Sequence, residues 1–172
     1  VSGNVEKNTG TTDLDKLGGL SKIMPLTYIS ALIASLSISG VPPFNGFVSK
    51  WMVYQGLISK WQMANGKWQM IIYALCLVAA MFGSALTLAS FMKLMHATFL
   101  GQPTNSTNLK QLKNEVSWAM WFPCVILAII CVIFGVFAYQ VPLKYFILPA
   151  VKGVAFIGTW YAGLSTLLII IG

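Results

Sequence analysis

Apolar and polar residues occur in long separate blocks along the chain. After a polar segment of about 24 residues come blocks near residues 24–39, 44–59, 70–100, 118–139 and 154–172. At ~1.5 Å per residue, the first two blocks make helices of about 24 Å, which is short of a ~30 Å hydrocarbon core, and the third makes one of about 46 Å. The pattern predicts an all-α integral membrane chain with about five transmembrane helices, one of them discontinuous.

The predicted discontinuity lies between the first two apolar blocks. Proline donates no backbone hydrogen bond, and the residue before a proline is pushed out of the α region, so helix cannot run unchanged through Pro42 and Pro43. Irregular backbone at membrane depth is tolerated only where other protein buries it or where it lines a wet cavity. The sequence therefore predicts an ion path here, with a helix break formed by Gly40, Pro42, Pro43 and Gly46.

The polar blocks divide the chain into three predicted regions. Residues 1–24 read as an extramembrane loop, and residues 25–140 as four helices. Residues 141–172, with Pro142 and Pro149, read as a loop followed by a truncated fifth hydrophobic helix. Trp61 and Trp68 flank the turn after the second block, as expected for an aromatic belt at a water interface.

Composition and charge support the membrane class and exclude others. Hydrophobic residues make up 57% of the 172 residues and charged residues 9%, against roughly 25% in an average soluble domain. The net charge of +7 comes mostly from lysines in the polar blocks. No basic run alternates with stacking aromatics, so these lysines indicate solvated rims and lipid headgroup contact, and no nucleic-acid partner is expected.

Lys50 is the leading candidate for a functional side chain, because it lies well inside an apolar block. Two structural alternatives compete: its stem could reach an interface, or it could cap a turn. If a helix restarts just before Lys50, the free N–H groups of that restart and desolvation would both weaken its hold on a proton. We therefore expect Lys50 to load and release protons.

Lys93 and His96 lie three residues apart on the long third block, so they share a predicted helix face. Histidine titrates near neutral pH, and both residues are candidates for a proton relay, although Lys93 is close enough to the end of the block to reach an interface. Gly83, Ser84 and Thr87 on the same block are interpreted as a helix-packing face.

Signals for catalysis or cofactor binding are missing from the sequence. It has no glycine-rich phosphate loop, paired carboxylates or Ser/His/Asp set, and its three cysteines lack metal-ligand spacing. Cys76, Cys124 and Cys131 are interpreted as buried apolar thiols. We expect no catalytic site, metal or cofactor in this chain, and leave open whether it serves an enzyme complex.

Two sequence blocks carry a family resemblance. Residues 9–25 (TGTTDLDKLGGLSKIMP) and 37–50 (SISGVPPFNGFVSK) closely resemble the antiporter-like membrane subunits. These subunits are shared by Mrp-type sodium/proton antiporters, where the resemblance is to the D subunit, by membrane-bound hydrogenases and sulfur-reducing complexes, and by respiratory complex I. Residues 86–101 also resemble a helix of this family, so the resemblance covers most of residues 9–140.

The resemblance implies a larger architecture than this chain contains. Such subunits have about fourteen helices in two inverted repeats, and this chain resembles the region from the eleventh helix onward. Lys50 falls where the family carries the lysine of its discontinuous twelfth helix. The implied partners are other membrane subunits, including a missing N-terminal repeat, and the implied location is a prokaryotic cell membrane. The chain is expected to be a split-gene product or a fragment, able to form at most an outward half-channel.

Three functions are consistent with the sequence. The first is proton, or sodium/proton, translocation within a multisubunit membrane complex, with Lys50 in the outward half of the ion path. The second is a non-conducting subunit that braces the same kind of complex. The third, an independent transporter of an organic solute, is weakened because no inverted second copy of the broken segment occurs in the 172 residues.

Overall fold

The computed structural model describes residues 1–102, 115–147 and Pro149. Within these residues every regular element is helical and none is a strand, which confirms the all-helical class. The α-helices are α1 (Ser2–Thr9), α2 (Pro25–Ser39), α3 (Asn45–Gln62), α4 (Lys67–Met95) and α5 (Trp118–Val136). Two 3₁₀ turns (Leu14–Lys16, Leu20–Lys22) and two π-helical turns (His96–Leu100, Tyr139–Ile147) complete the set.

Two compact units share these helices. The first comprises Val1–Ser35 and Ala89–Ile130, and the second comprises Leu36–Leu88 and the segment from Cys131 onward. Because the dividing points fall inside α2, α4 and α5, each of these helices contributes to both units.

The N-terminal segment, predicted as an extramembrane loop, contains helical structure. It contains α1, which ends at Gly10 with φ +74°, where the Gly10 N–H donates to the Glu6 carbonyl at 2.7 Å. Left-handed backbone at a helix end suits glycine, which has no Cβ to clash. A polar helix of eight residues is marginal alone, so tertiary packing of Val5 rather than intrinsic propensity explains it.

The first unit has its own hydrophobic core. Leu20 is fully buried and Phe99 is 2% exposed, and the Phe99 ring lies 5.4 Å from that of Tyr28. This core joins the N-terminal segment to α2 and to the end of α4. Its buried members are Val5, Leu17, Leu20, Ala31, Met95 and Phe99.

A distant carboxylate caps the start of α2. Glu115 accepts hydrogen bonds from the backbone N–H groups of Leu26 and Thr27, each at 3.2 Å, and from the Thr27 hydroxyl at 2.5 Å. The first N–H groups of a helix lack partners within it, and the helix dipole favours negative charge there. Glu115 therefore fixes the entry to α2 from 88 residues away.

Two described helices, Lys67–Leu100 and Trp118–Val136, are long and apolar enough to cross a membrane, and α2 is a shorter apolar helix. The most apolar part of Lys67–Leu100 contains no buried residue, so lipid or other protein must cover it. The expected number of five membrane helices stays a prediction, and its fifth segment, 154–172, lies outside the described residues.

A π-helical turn replaces the start of the loop predicted from residue 141. The Leu143 N–H donates to the Ala138 carbonyl at 3.0 Å, five residues back, and both residues are buried. Pro142 has no N–H to donate, and the wider π turn accommodates it inside Tyr139–Ile147.

Candidate functional site

At the helix break in the second unit, two backbone hydrogen bonds cap the end of α2. Gly40 follows the last residue of α2 with φ +78°, and its N–H donates to the Ser37 carbonyl at 3.0 Å. The Val41 N–H donates to the Leu36 carbonyl at 3.1 Å. This pair of bonds is the Schellman arrangement, which requires a left-handed residue and so favours glycine at position 40.

A tight turn separates the two helices. The Phe44 N–H donates to the Val41 carbonyl at 3.2 Å, and the Pro42–Pro43 peptide bond between them is cis. Helix α3 starts at Asn45, so Gly46 lies in its first turn and not in the non-helical segment.

Close backbone approaches hold this turn in place. The Ser37 hydroxyl donates to the Asn45 side-chain oxygen, and a Cβ at Gly46 would overlap the Ser37 carbonyl. A Cβ at Gly135 would likewise overlap the Pro43 carbonyl. Glycine at positions 46 and 135 is therefore a steric requirement. Gly46 lets α3 approach the end of α2, and Gly135 lets α5 approach the turn.

Lys50 closes the site from the second turn of α3. Its Nζ donates to the carbonyl oxygen of Ser39 at 2.8 Å, and its half-buried stem passes over Gly40. The C-terminal end of a helix carries negative partial charge and unpaired carbonyls, the partners that an ammonium needs away from water.

The sequence hypothesis considered desolvation and the N–H groups at the start of α3. The structure adds the carbonyl end of α2, which supplies the hydrogen-bond acceptor of the Lys50 ammonium.

A cleft of 430 Å³ lies beside Lys50, between α3 and α4. The Tyr54 and Ser84 hydroxyls meet across it at 2.7 Å. The sequence analysis interpreted Ser84 as part of a packing face and did not single out Tyr54. The spacing of Lys50 and Tyr54, four residues apart on one helix, was the available signal. The described lining consists of Ser49, Lys50, Val53, Tyr54, Ala80, Gly83, Ser84 and Thr87.

Lys93 and His96 belong to the first unit, and both are exposed. Lys93 lies in the last turn of α4, and His96 opens the first π turn, where its carbonyl accepts the Gly101 N–H at 2.6 Å. The change from α to π geometry therefore falls between the two residues. Such π turns occur frequently at functional sites.

The residues that could bind metal are dispersed. In the part of the chain that the structure describes, no three His, Cys, Asp or Glu side chains are grouped closely enough to hold a metal ion. Cys124 and Cys131 are half-buried, but Cys76 is exposed on α4, which corrects the expectation that it is buried. Cys76 lies on an apolar helix that the described part of the chain does not bury, so its thiol is exposed like the side chains around it.

Comparison with known proteins gives consistent matches. Residues 1–78 match the family described as NADH:quinone oxidoreductase/Mrp antiporter, transmembrane. The chain is similar to the A1 subunit of a Na⁺/H⁺ antiporter of Staphylococcus saprophyticus, with 36% identity over 139 residues. It is also similar to the A subunit of a Na⁺/H⁺ antiporter of Bacillus subtilis, with 37% identity over 134 residues.

These matches cover much of this chain and little of the relatives. They span 80% and 76% of the chain, but 17% and 16% of the two antiporter subunits. The chain therefore spans about a sixth of the length of the curated relatives that it matches.

Proposed function

Since most of this chain is related in sequence to antiporter-like membrane subunits, we propose that it forms part of a proton path, with Lys50 as the side chain that takes up and releases the proton. The relationship confirms the family resemblance of residues 9–25 and 37–50. The two relatives are A-type subunits, whereas the resemblance of the sequence blocks was to the D-type subunits of the same kind of antiporter.

The observation that carries the proposal is the hydrogen bond from Lys50 Nζ to the Ser39 carbonyl, at 2.8 Å. An ammonium and a broken helix are both costly in lipid, and here each satisfies the other. Discontinuous helices whose ends face a binding site are a recurrent device of ion-coupled membrane transport. The adjoining cleft supplies a route by which a proton reaches or leaves the lysine.

The proposal includes two further side chains that carry protons. Lys93 and His96 supply titratable groups on the first unit, next to the π turn that follows α4. In the proposal they exchange protons with segments of the assembly outside this chain. The working unit is a multisubunit complex in a prokaryotic cell membrane, which moves protons alone or in exchange for sodium.

The experiment is transport by the whole membrane assembly reconstituted in vesicles, comparing the wild type with Lys50→Ala. The expected result is loss of proton-coupled transport while the subunits still co-purify. Lys60→Ala is the matched control, because Lys60 is an exposed lysine in the last turn of the same helix. Unchanged transport in the Lys50→Ala assembly would overturn the proposal and favour a non-conducting subunit that braces the complex.

A further inference from the structure

The hydroxyl pair of Tyr54 and Ser84 has two ways to arrange its protons. The two oxygens lie 2.7 Å apart, and either can be the donor. Both also lie within reach of one acceptor, the Ala80 carbonyl, which is 3.1 Å from Ser84 Oγ and 3.5 Å from Tyr54 Oη. Because either hydroxyl can donate to the Ala80 carbonyl, the direction of the hydrogen bond between Tyr54 and Ser84 can reverse.

In the first arrangement Tyr54 donates to Ser84, and Ser84 donates to the Ala80 carbonyl. In the second, Ser84 donates to Tyr54, and Tyr54 donates to the same carbonyl. Each hydroxyl has one proton and two acceptor lone pairs, so both arrangements satisfy both protons. Each arrangement also leaves a lone pair available to a further donor.

The pair lies in the cleft that Lys50 lines. Lys50 and Tyr54 are four residues apart on α3, so their side chains project from the same face of the helix. A water in liquid occupies about 30 Å³, so a cleft of 430 Å³ that Lys50, Tyr54 and Ser84 line has room for several waters.

We propose that the Tyr54–Ser84 hydroxyl pair is a proton-relay station next to Lys50. This inference rests on the proposed function and names two residues through which the same site works. The Lys50 ammonium gives one proton to a cleft water, and that water gives one of its protons to Tyr54 Oη. Tyr54 passes its own proton to Ser84 Oγ. Ser84 releases the proton that it already carried to the next water, after its O–H has rotated away from the Ala80 carbonyl.

The transfer leaves the new Tyr54 O–H facing the cleft water, and its rotation onto the Ala80 carbonyl gives the second arrangement. Ser84 now donates to Tyr54, and rotation of the two O–H bonds restores the start, so each cycle moves one proton and leaves none behind. The shared Ala80 carbonyl stabilises the donor at the end of the pair in both states.

The test uses the whole assembly in vesicles, with four variants of the pair and one control variant. Tyr54→Phe and Ser84→Ala each remove one hydroxyl, and the double variant removes both. Ser84→Thr keeps a hydroxyl at position 84 and is the rescue. Tyr73→Phe is the control, because Tyr73 lies on α4 outside the described lining of the cleft. Co-purification of the subunits verifies assembly, and transport is measured in H₂O and in D₂O.

The expected result is a loss of proton-coupled transport on the order of ten- to a hundredfold in each single variant, as for other positioned proton-transfer groups. Groups that act as a unit are non-additive, so the double variant should be no slower than the slower single variant. The solvent isotope effect should change in both single variants, whereas Ser84→Thr and Tyr73→Phe should transport as the wild type does.

The relay would be overturned if the assembled Tyr54→Phe variant had the transport rate and the isotope effect of the wild type. It would also be overturned if the loss of transport in the double variant equalled the product of the two single losses. If Tyr54→Phe does not assemble, the comparison of Ser84→Ala with Ser84→Thr decides, because equal losses in both refute a hydroxyl role. Loss of transport in Lys50→Ala with normal transport in Tyr54→Phe refutes the relay alone. Normal transport in Lys50→Ala refutes the proposed function itself.

Discussion

Gly46 in α3 lies so close to the carbonyl oxygen of Ser37 in α2 that no side chain fits between them. The two helices of the broken segment therefore meet at backbone distance. Since Lys50 is only four residues beyond Gly46, this approach also brings its side chain to the end of α2, where Nζ contacts the Ser39 carbonyl. The close packing of Gly46 and the position of the Lys50 ammonium are thus coupled.

This coupling predicts a strong effect of Gly46→Ala. Overpacking a fixed backbone contact typically costs about 1–3 kcal/mol, and here the relaxation must separate α2 from α3. We expect lower stability to chemical unfolding in detergent micelles, together with reduced transport in vesicles. The matched control is Gly56→Ala in the same helix, where a Cβ meets nothing within 4 Å and should stabilise by about 0.5–1 kcal/mol. Equal effects of the two substitutions would contradict the steric account.

Comparing Gly40→Ala with Gly10→Ala should distinguish the effect of backbone strain from the effect of displacing the Lys50 side chain. Both glycines have positive φ, +78° and +74°, so alanine costs about 1–2 kcal/mol at either position. Only at Gly40 would the new Cβ press against the Lys50 stem. We expect similar losses of unfolding free energy in the two variants, but reduced vesicle transport in Gly40→Ala alone. Normal transport in Gly40→Ala would show that the site tolerates a shifted lysine.

The helical class was predictable from sequence because the long apolar blocks leave few other ways to satisfy their backbone groups in lipid. Lys50 could be singled out because a charge within such a block is rare. Its partner could not be identified, since the link to the Ser39 carbonyl depends on the path of the chain through the Pro42–Pro43 turn.

Other features depended on contacts between distant parts of the chain. Helix α1 is short and polar, so its sequence alone does not predict a helix, and the buried Val5 makes the difference. The meeting of Tyr54 and Ser84 required knowing how α3 and α4 face one another. The sequence pattern of a helix indicates which of its faces is polar. It does not indicate which face of another helix packs against that face.

Glu115→Ala should destabilise the first unit. The substitution removes the acceptor of two backbone N–H groups at the start of α2 and of the Thr27 hydroxyl, and loss of a helix cap costs about 0.5–2 kcal/mol. Glu115→Gln keeps one acceptor oxygen and should lose less. Thermal unfolding in micelles measures both, with Glu6→Ala as the control because Glu6 is an exposed acid on α1. A loss in Glu6→Ala as large as in Glu115→Ala would contradict the capping role.

The interaction between the exposed side chains of Asp13 and Lys16, which precede α2, should be measurable through the pKa of Asp13. Lys16 Nζ lies 3.2 Å from Asp13 Oδ2, and the Asp15 N–H donates to Asp13 Oδ1 at 3.3 Å. The hydrogen bond from Lys16 is the largest cause, followed by that from Asp15, and together they hold the pKa of Asp13 below its ordinary value of 3.8. Both contacts favour the charged carboxylate.

Lys16→Gln should therefore raise the pKa of Asp13 toward its ordinary value without fully restoring it, because the Asp15 N–H remains. The folded pKa is the lower one, so the stabilisation is complete above the unfolded pKa and is lost as the pH falls through the folded pKa. In solvent the effect on stability is small, so the direct measurement is the pH dependence of the Asp13 carboxyl ¹³C shift. Lys22→Gln is the control, since Lys22 is exposed and outside the pair. An Asp13 titration curve that is the same in Lys16→Gln and Lys22→Gln would show that the contact is not maintained in solution.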